Sequence, residues 1–155
     1  MTVWPLASTH SIFVGGYPHI EEFEASEEIF PGDLVEFTNA GPLDKTVKAG
    51  TVDSAAIIGV ADLSIDNIAL RGGKRTAAYA AGDVVKVIKG VINVMLRLAA
   101  TQDIDRGEML QPAASGEVKA YECGTDNACQ LIAQSLEDVV TYTDASWVLV
   151  EFKLP

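Results

Sequence analysis

The chain is poor in the side chains from which catalytic centres and metal sites are built. Its 155 residues include two histidines, His10 and His19, and two cysteines, Cys123 and Cys129. Nucleophilic catalysis needs a histidine held in a rigid pocket, whereas both histidines lie in a segment without regular periodicity. The cysteine spacing is not that of a zinc knuckle or a redox motif, and no phosphate-binding glycine loop occurs. The sequence therefore predicts no enzymatic activity, no metal and no cofactor.

The two cysteines leave two covalent states open. Cys123 and Cys129 flank the short stretch Gly124–Ala128. If the strands on either side face each other, the two thiols can form a hairpin disulfide. In a reducing cytosol two free thiols are expected instead.

Basic residues are also scarce, and this limits the partners. Eleven Lys and Arg stand against twenty-two Asp and Glu, which gives a formal net charge of −11. Phosphate backbones and anionic lipid surfaces both attract Lys and Arg, so we expect no binding to nucleic acid or to membranes. The one basic cluster contains Arg71, Lys74 and Arg75. It is interpreted either as a solvated loop tip or as an electrostatic contact.

Long apolar runs are missing as well. The longest, Val84–Ile88 and Val91–Leu98, are interrupted by Lys or Asn and are far shorter than a membrane span. The N-terminus has neither a basic start nor a long apolar stretch, so no secretory signal is expected. Synthesis is expected in the cytosol of the producing cell.

What the sequence does contain is a repeated pattern. Ile29–Val35 and Ile104–Leu110 each place a glycine and an acidic residue before apolar residues, at an offset of 75 positions. In each copy a glycine turn, a Val-Lys-Ala strand start and an apolar strand follow: Asn39–Gly41, Val47–Ala49 and Ile57–Ala61, then Ala114–Gly116, Val118–Ala120 and Leu131–Ser135. A repeated supersecondary unit is a scaffold feature and carries no chemistry of its own.

From Ile29 onward, short segments rich in Val and Ile alternate with Gly, Pro, Asn and Asp. This pattern is typical of β-strands separated by turns. Residues 84–98 are predicted to form a β-hairpin with Lys89 and Gly90 as its turn. Because helix signals are poor, we predict an all-β domain, a barrel or a sandwich, with two similar Gly-turn units.

The N-terminal segment differs from the rest of the chain. Residues 1–20 contain Trp4, Pro5, Phe13 and Tyr17 without a sustained period. Proline interrupts regular structure and the aromatic residues favour burial. We therefore predict an extended arm that contacts a neighbouring surface through these four residues.

An acidic strip follows the arm. Residues 21–28 include five Glu, and contiguous Glu side chains diverge rather than converge on one cation. The strip is interpreted as a solvated edge or an electrostatic contact, with Glu21 and Glu22 as candidates. The predicted organisation is an arm and acidic strip over residues 1–28 and a single β domain over residues 29–155.

Several segments of the sequence resemble tailed-phage head decoration proteins, also called capsid cement proteins. The resemblance is carried by Gly-Asp turns followed by Val-rich strands and by the terminal strand: Gly32–Val35, Ile57–Ala61, Ala81–Val87, Val91–Val94 and Trp147–Phe152. It spans residues 29–155. It implies a compact β-barrel or β-tulip with an extended N-terminal arm.

The resemblance also implies a function. Proteins of this family sit as homotrimers on the outer capsid surface and bridge neighbouring major capsid proteins. The implied partner is thus the major capsid protein, and the implied location is the outer surface of the virion after synthesis in the host cytoplasm. The arm would add a strand to a sheet edge of a neighbouring subunit or of the capsid. This chain departs from the simplest members in its longer N-terminal segment and its Glu-rich strip.

A small-ligand-binding β-barrel is the alternative function. In that case Tyr79, Trp147 and Phe152 would line a cavity, whereas the competing interpretation makes them ordinary core aromatics. A third possibility is an enzyme with sites between subunits. It would need distant polar residues to converge, and their spacing gives no reason for that.

Overall fold

A computed structural model describes residues 12–38, 45–63, 78–122, 124, 131–141 and 146–153. Within these residues the regular elements are β-strands and one 3-10 turn, Ala114–Gly116, which confirms the all-β prediction. No helix in this part of the chain is long and apolar enough to cross a membrane. Seven residues with predicted roles lie outside the described ranges: Trp4, Pro5, Arg71, Lys74, Arg75, Cys123 and Cys129.

The described part of the chain contains thirteen strands. Their bounds are β1 Phe13–Gly16, β2 His19–Ala25, β3 Leu34–Phe37, β4 Thr46–Ala49, β5 Ile57–Ala61, β6 Val84–Lys89, β7 Val91–Leu98, β8 Asp103–Ile104, β9 Met109–Pro112, β10 Val118–Ala120, β11 Ala133–Ser135, β12 Val139–Val140 and β13 Ser146–Lys153.

Ten of these strands form two closed five-stranded rings, which we call the first and the second barrel, while β1 lies beside β7 and β8 pairs with β12. The first has the order β2-β4-β3-β5-β6, and the second has the order β7-β10-β9-β11-β13, closed by the pairing of β13 with β7. One pair in each barrel is parallel, β2 with β4 and β7 with β10. The remaining pairs are antiparallel. Equivalent strands have the same neighbours in the same directions, so the two predicted Gly-turn units are copies of one scaffold.

Three turns share one geometry, which explains the Gly-acidic pattern. In each, a glycine with φ near 90° precedes an acidic residue, whose carboxylate accepts a hydrogen bond from the backbone N–H three positions earlier. The turns are Phe30–Asp33, Ala80–Asp83 and Asp105–Glu108. Glycine adopts this φ without the steric cost that a Cβ would add.

Each barrel has its own apolar core. Where the two barrels contact each other, strands of the first barrel are also buried on their outer face. Val35 and Ala61 pack in the core of the first barrel, whereas their neighbours Leu34 and Val60 pack in the core of the second. Successive side chains of a strand point to opposite faces, so β3 and β5 are buried on both sides. This accounts for the uninterrupted apolar sequence Ile57–Ala61.

The predicted hairpin at residues 84–98 is wrong, because β6 and β7 belong to different barrels. β6 pairs with β2 and β5, whereas β7 pairs with β1, β10 and β13. Gly90, at φ 107°, carries the chain between the barrels, and a Cβ there would lie 2.8 Å from the carbonyl oxygen of Tyr17. Lys89-Gly90 therefore connects one barrel to the other instead of forming a hairpin turn. A glycine with a positive φ is compatible with either connection, so the sequence does not distinguish them.

The structure also corrects the predicted arm and the domain boundary at residue 28. Phe13–Gly16 pairs with β7, and His19–Ala25 is a full strand of the first barrel. Ile12 is buried in the core of the second barrel. In β2 the outward side chains of Glu22 and Glu24 alternate with the buried Phe23 and Ala25. The run of acidic residues is therefore part of a β-strand. Residues 12–16 and 19–25 therefore belong to the sheets and the core rather than to an extended arm.

Gly32→Ala is expected to disturb the contact between the barrels, and Gly82→Ala is its matched control. Both glycines have a positive φ, 89° and 91°, so the backbone cost of a Cβ is similar. At Gly32 the added Cβ would also lie 2.8 Å from Trp147 Nε1 and 3.0 Å from the carbonyl oxygen of Met95. At Gly82 no described atom lies within 4 Å of it.

Urea unfolding should therefore show Gly32→Ala to be about 1–3 kcal/mol less stable than Gly82→Ala, which is the usual cost of overpacking. Equal losses in the two variants would show that the turn before β3 is not pressed against the second barrel.

Candidate functional site

The structure separates the contact residues predicted near the N-terminus. Phe13 lies in β1 and packs, partly buried, against the core of the second barrel. Tyr17 lies in the connection from β1 to β2 and is 91% exposed. Of these two described candidates, Tyr17 is therefore the one that is free to contact another molecule. Trp4 and Pro5 lie outside the described residues.

The acidic candidates lie on β2. One carboxylate oxygen of Glu21 is 2.9 Å from Lys89 Nζ, and the other is 2.9 Å from His19 Nε2. Hydrogen bonds from Lys89 and His19 lower the pKa of Glu21. Glu22 is exposed on the other face of the strand. The pairing of this strip with the basic cluster at residues 71–75 stays a prediction, because that cluster lies outside the described residues.

An open groove borders β2. Its lining residues are Ile20, Glu21, Glu22, Phe23, Lys45 and Lys86. Ile20 is 50% exposed between side chains of both charges. An exposed aliphatic side chain with a charged rim suits a protein contact better than a small-molecule site, which would enclose its ligand.

The joint between the barrels contains a buried cluster of charges. Arg97, on β7, has Nε 2.9 Å from Asp33 Oδ1, a close ion pair that is not a well-directed hydrogen bond. Its Nη2 lies 3.0 Å from Glu117 Oε1 and donates a 3.1 Å hydrogen bond to the carbonyl oxygen of Ser115. The guanidinium also lies 4.6 Å from the centre of the Phe30 ring, a cation–π contact. One cation is thus shared by carboxylates from both barrels.

Two further hydrogen bonds hold the turn before β3 against the second barrel. Trp147 Nε1 donates to the carbonyl oxygen of Pro31 at 3.1 Å, and the backbone N–H of Arg97 donates to the carbonyl oxygen of Gly32 at 3.0 Å. The equivalent turn of the second barrel, Asp105–Glu108, is largely exposed. The same local structure therefore forms a joint in one copy and a surface loop in the other.

Burial raises the pKa of Asp33 to about 7, although the charge of Arg97 and a hydrogen bond from the Phe30 N–H act in the opposite direction. The carboxylates of Glu117 and Glu27 raise it further. A cavity opens beside this cluster, bordered by residues of both barrels. Perturbed carboxyl groups occur at functional sites and in structural ion-pair networks alike. Here every described polar partner is held within the joint, which favours the structural role.

The described residues offer no site for a metal ion, since no three of their His, Cys, Asp or Glu side chains are grouped to hold one.

Another buried carboxylate, Glu36, has its hydrogen-bond partners within the first barrel. Burial raises its pKa, but hydrogen bonds from Ser54, Thr51 and Lys48 outweigh that effect and lower it. Its ionised form therefore fastens the loop between β4 and β5 to β3.

The three aromatic residues expected to line a ligand cavity do not share one. Tyr79 is 1% exposed in the core of the first barrel, and its hydroxyl donates to the carbonyl oxygen of Asp62. Phe152 is fully buried in the core of the second barrel, and Trp147 lies at the joint. Their placement contradicts the cavity and agrees with the interpretation as core aromatics.

Sequence reasoning missed the pairing of Asp33 with Arg97. In the sequence Asp33 is one of several turn acids, and Arg97 lies within the mostly apolar segment Val91–Leu98. A lone arginine in such a strand signals a nearby carboxylate, because a buried charge needs a partner. Nothing in the local pattern identifies which acid it is.

No protein-family model matches the chain, and no curated protein matches its sequence. Among solved structures, the head fiber gp8.5 N base of bacteriophage phi29 has the same fold, with a TM-score of 0.53 and 12% sequence identity. The match covers 90% of this chain and 99% of that chain. At this identity the likeness shows a shared fold.

Asp33→Asn is expected to change how stability depends on pH. The folded chain holds the Asp33 proton up to about pH 7, whereas the unfolded chain releases it near the ordinary pKa of 3.8. Because the folded state binds the proton more tightly, the contribution of Asp33 to stability is fully present below pH 3.8 and is lost as the pH rises towards 7.

Urea unfolding of both proteins should be measured between pH 3.8 and 7. Relative to Asp33→Asn, the natural chain should lose up to about 4 kcal/mol of its free energy of unfolding over this range, since one pKa unit corresponds to about 1.4 kcal/mol. The comparison cancels the contribution of titrating groups that do not interact with Asp33. Stability curves that run parallel would show that burial does not perturb Asp33.

Proposed function

We propose that the chain is a structural, non-enzymatic protein of a tailed-phage head, located on the outer surface of the virion. The observation that carries the proposal is the fold shared with a phage head fiber base over 90% of this chain and 99% of that one. The resemblance of the Gly-Asp turns and Val-rich strands to head decoration proteins, drawn from the sequence alone, supports the same role.

The proposed partner is the major capsid protein, and the proposed assembly is a homotrimer that stabilises contacts between neighbouring capsid subunits. Closed three-fold symmetry matched to a three-fold position of the capsid lets three modest contacts act together. Each contact can then be weak, because the second and third bind at a high effective concentration.

The surface of the first barrel supports a contact of this kind. Tyr17, just before β2, and Ile20, near its start, lie three positions apart and are 91% and 50% exposed. An exposed aromatic residue beside an aliphatic one is a common anchor of protein interfaces. The charged rim of Glu22, Lys45 and Lys86 would set the orientation rather than supply most of the affinity.

The joint between the barrels supports a bridging role. A protein that links two neighbouring subunits must hold its own halves at a fixed angle, or the contacts cannot be made together. Close packing at Gly32, the Trp147 hydrogen bond and the Arg97 cluster limit movement between the barrels.

Purified protein should co-sediment with expanded heads that lack it and should raise their melting temperature in calorimetry. A Tyr17→Ala and Ile20→Ala double variant should bind at least about tenfold more weakly, because these side chains are exposed and are offered as the contact. Val52→Ala is the control, since Val52 is 56% exposed and lies in the loop between β4 and β5, outside the residues that line the groove at β2.

Light scattering of the free protein tests the trimer separately. A protein that leaves heads unbound and their melting temperature unchanged would end the decoration proposal. Binding that is equally weakened by the control would show that the contact is not at the start of β2.

A further inference from the structure

The duplicated fold allows the two barrels to be compared hydrogen bond by hydrogen bond. In the first barrel the backbone N–H of Ser26 donates to the carbonyl oxygen of Val47 at 2.8 Å. In the second barrel the N–H of Ala99 donates to the carbonyl oxygen of Val118 at 2.9 Å. Both bonds join equivalent strands in the same direction, so Ser26 of the first barrel corresponds to Ala99 of the second. β2 and β7 are therefore related by an offset of 73 positions.

In the second barrel the outer edge of β7 is covered by an additional strand. β1 runs antiparallel along it, with Gly15 opposite Asn93 and Gly16 opposite Ile92. The N–H of Met95 donates to the carbonyl oxygen of Ile12 at 2.8 Å. The chain thus already contains one example of a strand added at this position of the barrel.

In the first barrel the same edge is open within the described residues. The offset relates Asn93 and Met95 to Ile20 and Glu22. β2 pairs with β4 only at Glu24 and Ala25, and no strand of the described chain lies beside the outer edge of the preceding residues.

The direction of the backbone groups on β2 follows from their neighbours. The N–H of Ala25 donates to Asp83, on the side of β6, whereas the N–H of Glu24 donates to Lys45, on the side of β4. Backbone groups alternate along a strand. The N–H and C=O groups of Ile20 and Glu22 therefore point away from β6, towards the open edge.

We propose that the open edge of β2 accepts an antiparallel strand from the N-terminal segment, residues 1–11, of a second copy of this chain. The added strand would bond to the backbone of Ile20 and Glu22, as β1 bonds to Asn93 and Met95. This inference concerns assembly of the chain with itself, and it stands or falls independently of any binding to phage heads.

Charge favours this occupant over a second β2. A strand added at this edge lies beside Glu22, and a second β2 would bring its own glutamates there. Like charges on paired strands are destabilising. Residues 1–11 contain no Asp and no Glu. Acidic side chains on an exposed edge discourage its pairing with another copy of itself, and they leave it open to a segment without acids.

Length and chain direction favour a segment from another copy. Pairing with Ile20 and Glu22 needs about four extended residues, roughly 13 Å, and Leu6–Ser11 supplies six residues without proline. The chain's own residues 1–11 join the described chain at Ile12, before the start of β1, whereas the other end of β1, Gly16, leads to β2. To reach the edge of β2 these residues would have to turn back along β1. A neighbouring copy can approach the edge without that reversal.

Amide hydrogen exchange tests the proposal on the full chain. Raising the protein concentration should slow exchange at Ile20 and Glu22 at least tenfold, because their N–H groups become bonded to the neighbour. Glu21 and Phe23, whose N–H groups face β6, serve as internal controls and should stay protected at every concentration. A chain that starts at Ile12 keeps all described strands and should lose the concentration-dependent protection.

Ile20→Pro and Ile20→Ala provide a second, independent test. Proline removes the outward N–H and leaves the hydrogen bonds to β6 in place, since those come from Glu21 and Phe23. Sedimentation equilibrium should show self-association weakened at least tenfold by Ile20→Pro and within about twofold of normal for Ile20→Ala, whose N–H is intact. Equal association of both variants and the natural chain would overturn the proposal.

The exchange experiment also separates the other occupants. Protection of Ile20 and Glu22 that does not depend on concentration, or that persists in the chain starting at Ile12, would assign the edge to the chain's own residues and overturn the proposal. Protection that appears only when heads are added would assign it to a capsid strand, with the same consequence.

Discussion

The arrangement of this molecule depends on one contact, the fit of the turn before β3 against the second barrel. Gly32 leaves no space for a Cβ beside Trp147, and Arg97 is held between Asp33 and Glu117. A buried ion pair adds little net stability, because desolvation offsets the attraction, but breaking it leaves a charge unpaired. The cluster therefore acts mainly by selecting one arrangement of the barrels, while the apolar residues around it supply the favourable free energy.

The two copies of the scaffold are used differently, and the differences lie where function is to be sought. The turn before β3 is buried, whereas its counterpart Asp105–Glu108 is exposed. The outer edge of β7 is covered by β1, whereas that of β2 is open among the described residues. Duplication supplies two equivalent edges, and β1 covers only the one on β7. Among the described residues no second strand lies along the open edge of β2.

Local patterns predicted the strands and the duplicated unit, because turn chemistry and alternation are properties of neighbouring residues. They failed where the deciding contact is distant in sequence. Residues 84–98 look like a hairpin, yet the partners of β6 and β7 come from other parts of the chain. β2 was not recognised as a strand because Glu22 and Glu24 face outward while Phe23 and Ala25 face the core. Asp33 and Arg97 are 64 positions apart, so no local pattern could join them.

The exposed surfaces of this chain, rather than its buried polar groups, are free to meet another molecule. The buried polar groups at the joint and around Glu36 are bound to other groups of this chain. Groups already satisfied within the fold have little left to offer a substrate, whereas exposed apolar side chains and unpaired backbone groups gain free energy only by meeting another molecule. Tyr17, Ile20 and the open edge of β2 lie next to one another on the first barrel. A strand added at that edge would cover part of the exposed surface of Ile20, so assembly and capsid contact would compete for, or share, the same few residues.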